Sequence, residues 1–453
     1  MTLFDGNRLT QDVMTLPVEA IRRGQFSDKY FENIVTILAG LSDRGTTFGS
    51  SVGDRATRFA AVDEQVGDVV VEAQVFNRRL PYALVGGVDA ALALLRHASG
   101  VPGRPDCDDA WRSLEVEAVH DGTITEYDGQ PENVHPVMRI RGRYRDFAVL
   151  ETPILGYLTR VSRTATNTLN VLRAAGTKPV LYFPARFDLP EVQAADGYGY
   201  WLAVQRHAFE MSQQAGHPVE YRARVSTDAQ GQWWGGSGGG TVPHALIAAF
   251  LGDTAAAMVA FAEHVALDVP RIVLADFNND VLQATRDTLN AYWPRYYAAL
   301  RAGDGDRQAR WTLTGVRIDT AGNLLDASLT DDTDKGVSAA LVRATRRAID
   351  EWPDTLAVGD AELDVARHYA AAVQIIVTGG FNIERITAFE SDGVPVDMYG
   401  VGSSLMTNDK TTNTDFTMDV VRANLNGRWV DVAKVGRRAG SHRGLQAVDL
   451  SEL

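Results

Sequence analysis

An α/β fold is predicted for this chain: an α/β barrel, complete or incomplete, with an N-terminal α+β sandwich domain completed by C-terminal strands. Three observations carry the prediction. Beyond about residue 150, long apolar-periodic stretches alternate with short β-rich runs, the pattern of a parallel sheet linked by helices. Before it, short strands and helix-spaced stretches mix without that order. Near the end, two runs lead into glycines: Ile375–Val377 into Gly379-Gly380, and Val394–Met398 into Gly400-Val401-Gly402-Ser403-Ser404. Glycine leaves backbone N–H groups unshielded and tolerates positive φ. Two such loops side by side form a nest for a phosphate, as the loops after the last two strands of (β/α)₈ barrels do. Gly379, Gly380, Gly400, Gly402 and Ser403 are the residues so assigned; tight turns alone would also use them.

The 453 residues suffice for two or three domains. The net charge of −14 argues against nonspecific binding to nucleic acid or an anionic membrane. Any anionic substrate must therefore meet a local cluster of Arg, His and backbone N–H. The single cysteine, Cys107, excludes an intrachain disulfide and a cysteine-rich zinc site. The start lacks a basic segment followed by an apolar one, and no apolar run reaches spanning length, so a cytoplasmic protein is expected.

In chain order, Val18–Arg23 and Tyr30–Leu41 have helical apolar spacing. Residues 56–87 alternate and then run apolar, as strands with Arg78-Arg79 at an end; Val85–Leu95 suits a helix, and Asp121–Tyr127 a turn and strand. Val137–Tyr144 is an alternating strand with Arg139, Arg141 and Arg143 on one face, ordinarily a solvated face. Then follow helix 152–174, strand Pro179–Phe183, helix 191–214, strand Val219–Ser226, helix 243–265, strand Arg271–Ala275, helix Asp280–Leu300, strand Gly315–Asp319, helix 336–349 and the strands near 375 and 396. The runs TDFTMDVVRANL and RWVDVAKVG leave that pattern as strands returning to the first domain. The divisions are 1–150, 151–405 and 406–453.

A barrel does its chemistry at the carboxyl ends of its strands. There the sequence places Arg186, then Ser226 before a Gly/Trp-rich loop reaching Thr241 and His244, then Asp276, then Arg317 and Asp319. Asp276 and Asp319 also stand where helix N-caps would, and His244 sits at a helix start.

These residues resemble the nicotinate phosphoribosyltransferases, of the type II phosphoribosyltransferases. GGFN with GVPVDMYGVGSSL is similar to the family's closing motif, whose two loops hold the 5-phosphate of phosphoribosyl pyrophosphate. FPARF resembles F-G-x-R-R, whose arginine grips the nicotinate carboxylate; Arg186 matches, while Pro184 and Phe187 depart. GTVPHALI is close to G-T-x-x-H, with His244 at the histidine that ATP phosphorylates in many members. GVRIDTAGNL resembles G-x-R-x-D-S-G-D-L; Arg317 and Asp319 match, while Thr320 and Asn323 depart. SRTATNTLNVLRAAG resembles the helix before the arginine motif, and AIRRGQFSDKYF the family's opening, whose tyrosine, here Tyr30, stacks on the pyridine.

The resemblance implies transfer of phosphoribose to nicotinate in NAD biosynthesis. Mg²⁺ would be carried mainly by the substrate, with no dedicated protein ligand set, and ATP is a further cofactor in many members. It implies a homodimer with shared active sites. Arg160, Arg163, Arg317 and His244 would face the pyrophosphate, Asp319 and Asp276 the ribose, and Arg186 the ring carboxylate. Nicotinamide or quinolinate as substrate, or an inactive regulatory relative, are the alternatives that the departures at Pro184, Phe187 and Asn323 leave open.

Overall fold

The structure, a computed structural model, describes residues 7–51 and 62–453. The strand expected at 56–62 lies outside them except for Val62. Among the described residues the strands are β1 Val70–Asn77, β2 Tyr82–Leu84, β3 Glu115–Ala118, β4 Ile124–Glu126, β5 Pro136–Arg143, β6 Val180–Tyr182, β7 Ile272–Leu274, β8 Gly315–Ile318, β9 Gln374–Val377, β10 Met398–Val401, β11 Phe416–Leu425, β12 Arg428–Asp431 and β13 Gln446–Val448.

They form two main sheets and a small β2–β4 ribbon. One sheet has the order β12-β11-β1-β5-β3-β13. Its centre, β1, is antiparallel to both β5 and β11, so strands from before residue 150 and after residue 406 share one sheet. Arg139, Arg141 and Arg143 do line one face of β5, but in ion pairs. Arg141 reaches Glu72 at 2.7 Å and Arg143 reaches Asp146 at 2.8 Å, and both carboxylates are buried.

The other sheet is parallel, in the order β6-β10-β9-β8-β7. Its strands are short and apolar, with almost every inward residue buried. The last strand, β10, pairs with the first, β6, as a closing barrel requires and a doubly wound sheet does not. The seam lies between β7 and the Gly238 segment, which bridges Val225 on its far side from β6. The strand expected over Val219–Ser226 is reduced to bridges from Val225 to Tyr182 and Gly238. Tyrosine hydroxyls take the positions a strand neighbour would fill: Val180 N donates to Tyr221 Oη at 3.1 Å, and Arg224 N to Tyr200 Oη at 2.8 Å.

The helices Glu151–Ala175, Gln193–Ala215, Val281–Ala302 and Ala339–Glu351 stand where the sequence puts them. The expected helix 243–265 is broken into His244–Ala249 and Thr254–His264. Leu251 and Gly252 take positive φ (57° and 90°), and Asp253 caps the second piece. Helices Asp360–Ala371 and Ile383–Ser391 complete the barrel's outer layer. The strand expected at Val394–Met398 lies further on, at Met398–Val401. Pro395 lacks a ladder donor, and Asp397 instead accepts Ile375 N through its side chain at 2.7 Å. The long helix Glu151–Ala175 joins the parts: Thr166 and Ser162 accept the backbone N–H of Leu84 and Gly86 at and after β2, Thr159 accepts Phe416 N of β11, and Asn167 donates to Leu405 O after β10.

The arginine face yields a stability prediction. Glu72, with 1% side-chain exposure, meets Arg141, Arg422 at 3.4 Å and Arg139 at 3.8 Å. Glu72→Ala leaves those cations without their buried partner and should cost on the order of 2–3 kcal/mol, at the low end for a broken buried pair because the arginines can reach water. Glu115→Ala, at a carboxylate 78% exposed, should leave calorimetric melting unchanged. Equal melting temperatures for the two variants would refute the assignment.

Candidate active site

The rim at the carboxyl ends of the parallel strands gathers two carboxylate clusters. Arg317, at the end of β8, donates Nη2 to Asp319 Oδ2 at 3.0 Å and Nε to Thr378 Oγ1 at 3.2 Å. Thr378, just past β9, donates Oγ1 to Asp319 Oδ1 at 2.6 Å. Both oxygens of Asp319 are thereby oriented. After β7, Asp276 faces His244, whose Nε2 lies 3.0 and 3.1 Å from its two oxygens. The Asp276 side chain is 8% exposed and that of His244 44%. Burial raises the Asp276 pKa above the usual carboxylate range; the His244 ring opposes that shift, and the Asp319 charge adds to it. Neither aspartate caps a helix: Asp280 Oδ1 caps Val281–Ala302 by accepting Gln283 N at 3.0 Å, and no helix follows Asp319 directly. His244 is the first residue of His244–Ala249, with its imidazole turned to Asp276.

The glycine loops flank these carboxylates. Gly379 and Gly380 follow β9 with φ of 86° and 71°. A Cβ on Gly379 would lie 3.2 Å from Asp319 Oδ1, so the loop and the carboxylate are in contact. The second loop runs from Gly402 into the turn Ser403–Met406, and Ser404 Oγ donates to Phe381 O at 2.9 Å, joining the two. Gly402 has negative φ; its lack of a side chain makes room for Phe187, whose Cε2 would be 2.8 Å from a Cβ there. Gly400 is not in the loop. It lies inside β10, where a Cβ would meet Thr378 Cγ2 at 2.4 Å, so its role is packing. It was misplaced because the strand begins four residues later than its apolar pattern suggests.

The remaining expected residues are more scattered. Arg186 is exposed and makes no ion pair among the described residues; its guanidinium lies 5.8 Å from the Phe187 ring centroid. Arg160 is not free to meet an anion. Its Nε and Nη2 donate to Asp196 at 2.8 Å, and Nη2 also to Asp188 at 2.6 Å, so two carboxylates already balance it. Ser226 donates N and Oγ to Gln230 Oε1, which fixes the loop start, and Thr241 is half-buried two residues before the Pro243 cap position. Tyr30 stands apart, on the helix Lys29–Asp43, 59% exposed and hydrogen-bonded to Asp28.

Arg385 was missed. It donates to Gly379 O at 2.7 Å and Val337 O at 2.6 Å, placing a cation with no bonded carboxylate against the first glycine loop. Its signal was its position in the first turn of a helix, Ile383–Ser391, starting right after the glycine pair, with Asn382 as the cap. Arg163 is also unmatched: its Nε is buried without a hydrogen-bond partner, and burial, then the charge of Arg160, lowers its pKa.

The model of a family described as "Quinolinate phosphoribosyl transferase, N-terminal domain" matches residues 54–162. A solved nicotinate-nucleotide pyrophosphorylase from Pyrococcus furiosus is 25% identical, covering 96% of this chain and 85% of its own, with a TM-score of 0.57. A human nicotinic acid phosphoribosyltransferase, at 15% identity over 89% of this chain and 76% of its own, has a TM-score of 0.50 and speaks for the fold alone. No described helix is long and apolar enough to cross a membrane.

The carboxylate geometry can be tested by carbon NMR of the Asp276 side chain. Its midpoint should lie above the ordinary carboxylate range. Asp319→Asn removes a like charge and should move it down; His244→Gln removes a stabilising partner and should move it up. Shifts of the opposite sign would show that the two acids do not share a site.

Proposed function

We propose that this chain, which belongs to the type II phosphoribosyltransferases, joins nicotinate to phosphoribosyl pyrophosphate, giving nicotinate mononucleotide and pyrophosphate. The observation that carries this reading is the pair of glycine loops tied together by Ser404 and set directly against the oriented carboxylate of Asp319. That arrangement suits a sugar phosphate whose ribose carbon becomes positive as its leaving group departs.

In this reading the backbone N–H groups of Gly379, Gly380, Gly402 and Ser403 hold the 5-phosphate, with Arg385 adding charge behind the first loop. Arg317 and Arg163 neutralise the pyrophosphate. Asp319 and Asp276 face the ribose, where fixed negative charge stabilises an oxocarbenium-like transition state. The ring nitrogen of nicotinate is an unprotonated nucleophile at neutral pH, so catalysis is positioning and electrostatics, with no strong base required. The residues present fit Mg²⁺ bound mainly through substrate and water: carboxylate oxygens of the kind it takes stand at the rim, and among the described residues no group of three acidic or histidine ligands would hold it alone. When bound it would neutralise the leaving pyrophosphate. With His244 Nε2 directed at Asp276, Nδ1 is the ring nitrogen open to a phosphoryl group from ATP.

Arg186 would pair with the ring carboxylate, and Phe187 would wall the ring beside Gly402. A single arginine beside a phenylalanine suits one carboxylate. Quinolinate, with two, is the second reading; the unpartnered Arg163 favours it, as does the quinolinate-type match of the N-terminal region. An assay with nicotinate, quinolinate and nicotinamide separates them. Arg186→Ala should lower kcat/KM for nicotinate by about 10²-fold, on the order of 3 kcal/mol, and that for nicotinamide far less. Equal losses for acid and amide would assign Arg186 to another role.

The active unit is proposed to be a homodimer. Phe26, Tyr30 and Ile37 are 51%, 59% and 59% exposed at the N-terminal end. Phe187, Leu189, Leu324 and Ile383 are exposed around the barrel rim (48%, 65%, 44% and 38%). Docking one set on the other in a second copy would bury both and bring Tyr30 to the partner's pyridine site. Sedimentation equilibrium at micromolar concentration should give twice the chain mass; a monomer with full activity would refute the shared site.

A further inference from the structure

The second glycine loop is held from behind by a buried chain of hydrogen bonds that the proposed chemistry does not use. Asn167, on the long helix and 5% exposed, donates its amide to Leu405 O and Thr407 O, each at 3.0 Å. Those carbonyls lie within and just beyond the turn that starts at Gly402. Asn167 Oδ1 accepts from Arg79 Nη2 at 2.7 Å. Arg79 is itself 5% exposed, and its other arm donates to Thr414 Oγ1 at 2.8 Å. Asn77 closes the network: its Oδ1 accepts Arg79 N at 2.7 Å, and its amide donates to Thr414 O at 2.8 Å. The end of β1, the long helix and the segment leading into β11 thus converge on one loop.

A guanidinium this deep with no bonded carboxylate is costly, and burial pulls the Arg79 pKa down to about 10. The arrangement makes sense as an orientation device. A side-chain amide can rotate to exchange its oxygen and nitrogen. With Arg79 donating to Oδ1, the rotated form would set Nδ2 against another donor, so both amide hydrogens stay on Leu405 and Thr407.

We propose that Arg79 and Asn167 are positioning residues for the phosphate loop: Arg79 locks the Asn167 amide, and Asn167 holds the backbone after Gly402 so that its N–H groups face the 5-phosphate. The proposal rests on reading that loop as the phosphate site. The two residues touch no substrate. They act through the carbonyls of the loop, and through Thr414 they tie it to the β1–β11 end of the other sheet.

Asn167→Asp separates this role from simple stability. It keeps an acceptor for Arg79, now as an ion pair, and replaces both amide donors by an oxygen that repels Leu405 O and Thr407 O. The new ion pair with Arg79 offsets part of the two lost hydrogen bonds, so the variant should still unfold cooperatively, while backbone amide exchange accelerates across residues 403–407 more than elsewhere. The Kd for ribose 5-phosphate should rise at least tenfold and the Kd for nicotinate stay within twofold. In turnover, KM for phosphoribosyl pyrophosphate should rise more than kcat falls. Arg79→Lys, which can still donate to Asn167, should lie between wild type and Arg79→Met in each readout; should Asn167→Asp fail to fold, Arg79→Lys supplies the same exchange and binding measurements. Folded variants with wild-type exchange and wild-type ribose 5-phosphate affinity would overturn the tether. Gly402→Val is the control on the premise. If it loses ribose 5-phosphate while Asn167→Asp does not, only the tether falls. If Gly402→Val binds as wild type does, or wild type binds none, the phosphate reading falls and the tether with it.

Discussion

Tyr399 and Val401 of the last parallel strand lie in register with Val180 and Tyr182 of the first, and Phe183 N closes the pairing on Val401 O at 2.8 Å. The geometry of the rim depends on this register. It sets the loop after β6 beside the loop after β10, so that Phe187 fills the space Gly402 leaves open. On the other side of β10, the pairing of Tyr399 with Val377 of β9 sets Gly400 beside Thr378, the residue that orients Asp319. A slip of one residue would turn Gly400 outward and drive a side chain into Thr378. Sheet closure and site assembly are therefore one constraint, and the glycine at 400 belongs to it as packing rather than as a ligand.

Charge is arranged on the same economy of contacts. The chain is acidic overall, yet the cations near the loops are not all spent on carboxylates. Arg385 and Arg79 bond to neutral oxygens, and Arg163 Nε bonds to nothing. Burial lowers the pKa of each, which marks them as cations whose field is not cancelled locally. Arg160 shows the contrast: its two aspartates leave it little attraction for an anion. A site for a polyanion on a chain with a net charge of −14 needs such uncancelled positive charge, close in and shielded from water.

The alternation of long periodic stretches with short apolar runs made the barrel legible, because helices and parallel strands carry different periods. The strand at β10 was displaced because Val394 and Val396 are buried without being paired, and apolar pattern alone cannot tell burial from pairing. The Val225 segment was overread for the opposite reason: tyrosine hydroxyls satisfy a backbone that looks like a strand. At the site, Asp276, Asp319, His244 and Arg317 stood out by position at strand ends. Arg385 and the Arg79–Asn167 pair did not, since their roles rest on partners distant in sequence: Val337 O for Arg385, and Thr414, Leu405 O and Thr407 O for the pair. Arg160 was legible as a basic residue on the right helix; its neutralisation by Asp188 and Asp196 is a tertiary fact.

The two aspartates show why the glycine loops and carboxylates belong together in the proposed reaction. Burial first, and then the Asp319 charge on the adjacent strand, raise the cost of charge on Asp276. Helix capping does not account for either carboxylate, since Asp280 caps the helix after β7 and Asp319 precedes no helix. His244 and the Arg317–Thr378 pair hold the two carboxylates in place. Such a pair is poorly matched to a neutral ground state and better matched to positive charge arriving between them. A ribose anchored by its phosphate in the adjoining loops, and losing an anionic leaving group, delivers that charge at its anomeric carbon. The ground-state repulsion is then relieved in the transition state, which is where catalysis by a fixed electrostatic environment must act.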